Sequence, residues 1–345
     1  MRRFRYKYVL YFLLILILFF HAIKSFGLEK RQPEVIKLKV LLLPFLSFAP
    51  FFIASEEGFF IEQRLQIEFV KMSNTATAIP SLVQGDLDIV GSNIRVNLLN
   101  AILRDGRIKF VADKGHLTSS ACSYYSVIGR RMLVKPGEPD TAAQLKGRRI
   151  SIGAGLPTTA GYFAEKLAST VGLTLNDVEI VEHLPHPAEL EALEKGSIDY
   201  IIDGEPKVTR IIQTGHGILW KSVQQFAPGF QYDVVAYGPT LIQKNPEAGK
   251  KFMVAYLKAV RQFNQGKTER NLEILSKHTG LDRELLGKAC WPQFRIDGKI
   301  NVKSVLDFQD WAIKKGLLDK PALKNQFWDP SFVEYANKVL EASTK

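Results

Sequence analysis

The chain has 345 residues, 46% hydrophobic and 23% charged, which suits two globular domains and excludes a chain too polar or too short to bury a core. The formal net charge is +11, and it is concentrated at the start, where Arg2, Arg3, Arg5, Lys7, Lys24, Lys30 and Arg31 face only Glu29. The mildly basic remainder has no Arg/Lys run and no zinc or RNA-binding motif, which argues against a nucleic-acid partner.

The basic start leads into an apolar run from Val9 to Phe20. That order marks a secretory signal, whose apolar core is ~7–15 residues, and the run falls short of the ~20 a membrane span needs. Ser25 and Gly27 offer small residues ahead of Leu28. Residues 1–27 are expected to be a signal peptide or, if uncleaved, an N-terminal membrane anchor. The body is then exported, to the periplasm or the outer face of the cytoplasmic membrane. Cys122 and Cys290 are the only cysteines. Two cysteines can pair in an oxidising compartment, but nothing in their spacing brings them together, and they are read as separate buried thiols.

Residues 35–44 alternate and then become solidly apolar, the pattern of a strand that passes into a buried sheet. A short helix over 50–57 ends at Gly58. A strand at 65–70 follows, then a helix over 75–84 stopped by Gly85, then a strand at 87–90. The second half repeats this order, with a strand at 149–153, a helix over 158–171, a strand at 178–182, a helix over 187–194 stopped by Gly196, and a strand at 198–202. The repetition reaches the residue level. Leu82-Val-Gln-Gly-Asp-Leu-Asp88 and Leu193-Glu-Lys-Gly-Ser-Ile-Asp199 share one pattern of leucine, glycine, aliphatic and aspartate. Two β-α-β-α-β lobes are therefore expected, each an α/β layer with right-handed crossovers. From residue 241 onward the chain reads as helices, at 246–264, 272–279, 282–290, 302–315 and 330–340, packed on the first lobe. Lobe 1 is placed at 35–123 plus 241–345 and lobe 2 at 124–240. Two Tyr/Val-rich segments, 124–133 and 234–242, are read as the hinge.

Several stretches together carry a family likeness: Pro50-Phe-Phe-Ile-Ala-Ser-Glu-Glu-Gly-Phe-Phe60, Leu65-Gln-Ile-Glu-Phe-Val70, residues 78–90, Leu145-Lys-Gly-Arg-Arg-Ile-Ser-Ile-Gly153, Val171-Gly-Leu173 with Asp177-Val-Glu-Ile-Val181, and Asn245-Pro-Glu247. In this order the chain resembles the periplasmic solute-binding proteins of ABC importers, in the nitrate/sulfonate/taurine and thiamine-precursor (NMT1/THI5-like, SsuA-like) group. The likeness spans residues 35–261. It implies a two-lobed periplasmic-binding-protein fold, each lobe a mixed sheet flanked by helices, with a hinge of two crossing segments and the ligand in the cleft between. It implies a membrane permease as partner, a small-molecule ligand and no cofactor, and the chain is expected to be a monomer.

Ligands of open α/β sheets bind beyond the carboxyl ends of the strands. In the first half this rule selects Ser47 and Phe48, Asn74 and Thr75, and Ser92 and Asn93. In the second it selects Thr158 and Thr159, the stretch from His183 to His186, and Asp203 with Glu205. Thr158-Thr159 and Asn74-Thr75 open helices, where free N–H groups attract an anion or an acceptor; plain N-capping competes for the same groups. Asp203 and Glu205 would repel sulfonate or nitrate and attract an amine or a ring donor. They favour a thiamine-precursor-like pyrimidine or another nitrogen compound, with sulfonate, taurine or nitrate as the alternative, balanced by Arg95 and Lys114. Of the aromatics crowding these edges, Phe48 and Tyr232 are expected to stack on the ligand. His183 and His186 lack a third partner and a helix to align them, so no metal is expected. No nucleophile or metal motif is evident, so the chain is read as a binding protein and not an enzyme. A pyrimidine-synthase-like or lyase-like enzyme on this fold and a membrane-anchored sensor lobe are the competing classes.

Overall fold

A computed structural model describes residues 35–72, 74–119, 122–135 and 141–343. The expected leader at 1–27 lies outside them. Among the described residues no helix is long and apolar enough to cross a membrane.

The first lobe is built on strands β1 (Ile36–Leu42), β2 (Leu65–Lys71), β3 (Ile89–Asn93) and β4 (Lys109–His116). Helices α1 (Ala49–Glu56), α2 (Thr75–Gln84) and α3 (Val96–Asp105) connect them. The second lobe carries β5 (Tyr125–Arg130), β6 (Arg149–Ile152), β7 (Glu179–Glu182), β8 (Tyr200–Gly204) and β9 (Gly217–Ser222), with α4 (Thr159–Ser169), α5 (His186–Lys195) and α6 (Lys207–Gln213). The chain then returns through β10 (Gln231–Tyr237) to the helices α7 (Pro246–Phe263), α8 (Glu269–Thr279), α9 (Arg283–Lys288), α10 (Val302–Lys314) and α11 (Ser331–Ala342).

Each lobe holds one five-stranded mixed sheet, ordered β2-β1-β3-β10-β4 and β7-β6-β8-β5-β9. In each, four strands run one way and the fourth in order runs antiparallel between its neighbours. That fourth strand is always the one reached just after the chain crosses from the other lobe. This is the two-lobed α/β architecture expected from the sequence. The segments read as the hinge, 124–133 and 234–242, prove to hold β5 and β10, strands inside the sheets. The crossings lie earlier, in the stretches just before β5 and β10. Ending the second lobe at residue 240 also misplaces β10, which pairs with β3 from Asp233↔Asn93 to Tyr237↔Ile89. Every residue of β10 is buried, so it has no alternating face from which its sheet could be read.

The sequence repeat has a physical basis. Gly85 (φ 83°) and Gly196 (φ 75°) end α2 and α5 in the left-handed conformation that glycine enters without a Cβ clash. Three residues on, Asp88 and Asp199 each tie the turn to the next strand over. Asp88 accepts from the Lys39 N–H (2.8 Å) and Asp199 from the Arg149 N–H (3.0 Å). Their own N–H groups donate to the carbonyls of the same two residues, both at 2.9 Å. One helix-to-strand joint is thus used twice, once to register β3 beside β1 and once to register β8 beside β6.

Cys122 and Cys290 form a disulfide with Cα atoms 5.5 Å apart, which corrects the reading of two separate thiols. The bond ties the first crossing segment to the end of α9. Sequence spacing gave no sign of it, because the partners meet only after α8 and α9 pack beside the crossing.

Candidate functional site

Between the lobes lies a cavity of about 500 Å³. Its walls come from the carboxyl ends of parallel strands in both sheets, as the rule for open α/β sheets requires. Lobe 1 supplies Ser47 and Phe48 after β1, Asn74 and Thr75 at the start of α2, Ser92 and Asn93 of β3, and Arg95. Lobe 2 supplies Tyr124, Tyr125, Gly153 and the run Asp203-Gly-Glu-Pro-Lys207, with Arg210. Of the residues singled out from sequence, Ser47, Phe48, Asn74, Thr75, Ser92, Asn93, Asp203 and Glu205 therefore come together on one cavity.

Three do not. Thr158 and Thr159 are fully buried and outside the lining. Thr158 caps α4: its Oγ1 accepts from the Ala160 N–H (3.2 Å) and donates to the Gly155 carbonyl (2.7 Å), so capping engages that hydroxyl, while the buried Thr159 hydroxyl has no partner among the described residues and lies off the cavity. Tyr232 is also fully buried. It stands one layer back, stacked on Tyr124 at 5.4 Å and edge-on to Tyr125 at 5.0 Å, and holds those two rings against the cavity.

The charges on the walls are organised in two lysine–carboxylate pairs, one per lobe. In lobe 1, Lys114 is 1% exposed; its Nζ donates to Asp233 Oδ2 (2.9 Å) and Ser47 Oγ (2.8 Å) and sits 4.0 Å from the centre of the Phe48 ring. Burial pulls its pKa below the ordinary lysine value, against the opposing pull of Asp233. In lobe 2, Lys207 Nζ donates to Asp203 Oδ2 at 2.6 Å. Burial acts to lower the pKa of Lys207, and Asp203 overcomes it, so the net shift is upward. Glu205 is buried and accepts from the Thr209 N–H (3.0 Å), the Thr209 hydroxyl (2.9 Å) and the Cys290 N–H (3.2 Å). Burial still raises its pKa from the ordinary glutamate value. All three carboxylates on the cavity are thus engaged by the protein. Arg95 and Arg210 line the same cavity, and neither guanidinium has an ion pair or hydrogen bond among the described residues.

Lys207, Arg210 and Asp233 were missed in the sequence, and Tyr125 stood among the edge aromatics without being expected to stack on the ligand. Lys207 was within reach, four residues after Asp203 in the turn that opens α6. Asp233 and Lys114 left a plainer signal, being charged residues inside otherwise apolar strands, where an ion needs a partner. Gly91 makes room for that pair. A Cβ there would lie 2.5 Å from Lys114 Cε and 3.1 Å from the Phe48 ring. Gly91→Ala should push the lysine off Asp233 and cost about 1–3 kcal/mol, the usual penalty of overpacking. An unchanged urea midpoint would show that Lys114 does not occupy this place.

The NMT1/THI5 like family model matches residues 46–265, from the first cavity loop to just past the end of α7. The chain belongs to the NMT1/THI5-like family. No curated protein matches the sequence. Solved structures match the fold at low identity. The periplasmic nitrate-binding protein NrtA of Synechocystis PCC 6803 superposes with a TM-score of 0.71 at 16% identity, covering 90% of this chain and 90% of that one. The alkanesulfonate-binding protein SsuA of Xanthomonas axonopodis pv. citri, bound to MOPS, gives 0.68 at 14%, covering 86% and 99%. The desulfurization enzyme DszB gives 0.65 at 15%, covering 88% and 99%. This NMT1/THI5-like chain therefore shares a fold that serves both carriers and an enzyme.

Proposed function

We propose that the protein is the extracytoplasmic solute-binding component of an ABC importer, closing its two lobes on a small organic molecule and delivering it to a membrane permease. The observation that carries this reading is the cavity itself, which is walled by strand ends of both lobes and sized for a small ligand. Family membership and the roles of the nitrate-binding and alkanesulfonate-binding neighbours support it. The disulfide supports export, since such bonds persist in oxidising compartments.

The ligand is a small, flat polar compound. Phe45, Tyr124 and Tyr125 offer ring faces and edges to it. The expectation of a thiamine-precursor-like pyrimidine keeps this ring-binding support. It loses the support of two free carboxylates, because Asp203 and Glu205 already hold partners.

A thermal-shift panel on residues 33–345 tests the reading, with pyrimidines, amines, alkanesulfonates, taurine and nitrate. A ligand at ~100 times its Kd adds ~2.7 kcal/mol. That moves the midpoint by several degrees, at roughly 2–4 °C per kcal/mol for a large domain. A hit recovered unchanged after incubation is the expected result. Conversion of the hit to product would replace capture by catalysis.

A further inference from the structure

The two lobes touch directly beside the cavity, where α3 and α4 begin. Arg95 and Thr158 pair as an isolated antiparallel bridge, and the Val96 N–H donates to the Pro157 carbonyl at 3.0 Å. Val96 is the first residue of α3, so its N–H is one of the donors a helix leaves without an internal partner. The other lobe supplies the acceptor.

Arg95 belongs to this contact through its backbone and to the cavity through its side chain. Its Nε is buried with no hydrogen-bond partner, and the rest of the guanidinium makes no hydrogen bond or ion pair among the described residues. The cavity's own carboxylates do not satisfy it; their contacts are Asp203 with Lys207, Asp233 with Lys114, and Glu205 with Thr209 and the Cys290 N–H. Arg95 is only half-buried, so its terminal nitrogens reach the cavity, but its buried Nε has no acceptor, and a bound oxyanion would supply one. A guanidinium fork also matches two oxygens of a carboxylate, sulfonate or phosphate ester.

We propose that Arg95 couples the charge of the ligand to closure of the lobes: its guanidinium takes an anionic group of the ligand, and this fixes the turn whose next N–H latches α3 to the loop before α4. The coupling follows because the ligand meets Arg95 in the same arrangement in which the latch is made, so binding favours the closed state over the open one. This inference rests on the capture reading of the same cavity and adds the ligand's charge.

The test uses isothermal titration of residues 33–345 with benzoate, benzenesulfonate and phenyl phosphate, each beside neutral benzamide, and small-angle scattering with the probe that binds tightest. At least one anion should bind more tightly than benzamide, and the three anions rank the acceptor groups. Arg95→Gln should weaken that anion by roughly tenfold to a hundredfold, the range of a hydrogen bond to a charged group. Arg95→Lys keeps the charge without the fork and should recover part of the affinity. Val96→Pro removes the latching N–H alone: proline is tolerated at the first position of a helix, and Arg95 (φ −154°, ψ 153°) already has the extended backbone that precedes proline. It should weaken the anion by roughly two- to tenfold, enlarge the radius of gyration of the bound protein and leave the far-ultraviolet circular dichroism unchanged. Wild-type affinity in Arg95→Gln, or wild-type affinity and radius in Val96→Pro, overturns the coupling. Hits in the neutral half of the thermal-shift panel with no anion preference also overturn it and leave capture standing. Silence of every probe in both experiments defeats capture and coupling together.

Discussion

A variant with Cys122→Ser and Cys290→Ser should unfold at a midpoint lower by on the order of 10 °C. The bond closes a loop with a sequence separation of 168, long enough for chain entropy to contribute about 5 kcal/mol. At roughly 2–4 °C per kcal/mol, that is a shift no scan would miss. The loss should also reach the cavity. Cys122 lies two residues before Tyr124, and the Cys290 N–H donates to Glu205 (3.2 Å), so the bond holds two wall residues in place from outside. Glu205 is tied to the same crossing by its own N–H, which donates to the Tyr124 carbonyl at 3.0 Å. Calorimetry of the wild type with and without a dithiol reductant checks the energy, and the variant checks that the effect belongs to these two thiols. Equal midpoints in all three samples would return the cysteines to two separate thiols.

What could be read in the sequence was local. The joint at Gly85 and Asp88, and again at Gly196 and Asp199, depends on residues within one turn and one strand start, so its two copies announced two similar lobes. The strand ends that face the cavity followed from the same order, which is why Ser47, Phe48, Asn74, Thr75, Ser92, Asn93, Asp203 and Glu205 share one cavity. Two failures came from competition that is also local. Thr158 spends its hydroxyl on its own helix, and Asp203 spends its carboxylate on Lys207 four residues on. The remaining errors came from distance. No pattern near β10 says that it inserts between β3 and β4, because a strand covered on both faces shows no period. Tyr232 looks like a ligand-stacking ring from its place at a strand, and only the packing of Tyr124 and Tyr125 in front of it shows that it supports the wall.

Breaking the Lys114–Asp233 pair should cost more at pH 9 when the lysine is removed than when the aspartate is. Lys114→Met leaves Asp233 on a buried wall with the Tyr124, Tyr125 and Tyr232 rings nearby and no cation beside it, a situation worth about 3–5 kcal/mol. Asp233→Asn leaves a buried lysine instead, and above neutral pH a lysine sheds its charge at less cost than an aspartate gains a proton, because the pH then lies nearer ~10.4 than ~3.9. Burial already lowers the pKa of Lys114, and loss of Asp233 removes a group that opposes the shift. The folded variant then binds fewer protons than the unfolded chain at every pH between the lowered pKa and the ordinary lysine value of ~10.4. Stability rises with pH wherever the unfolded state binds more protons, so Asp233→Asn should recover stability as pH climbs through that window. The recovery must be read below the ordinary tyrosine value of ~10. Above it the buried Tyr124, Tyr125, Tyr232, Tyr237 and Tyr256, all held well above that value by burial, make the folded state the one that binds more protons and turn the slope downward. Urea denaturation of both variants at pH 7 and pH 9 decides the matter. A deficit in Asp233→Asn that narrows relative to wild type at the higher pH, beside one in Lys114→Met that does not, identifies the lysine as the adjustable member. Equal and pH-independent losses would mean that the pair acts through packing around Phe48 and not through its charge.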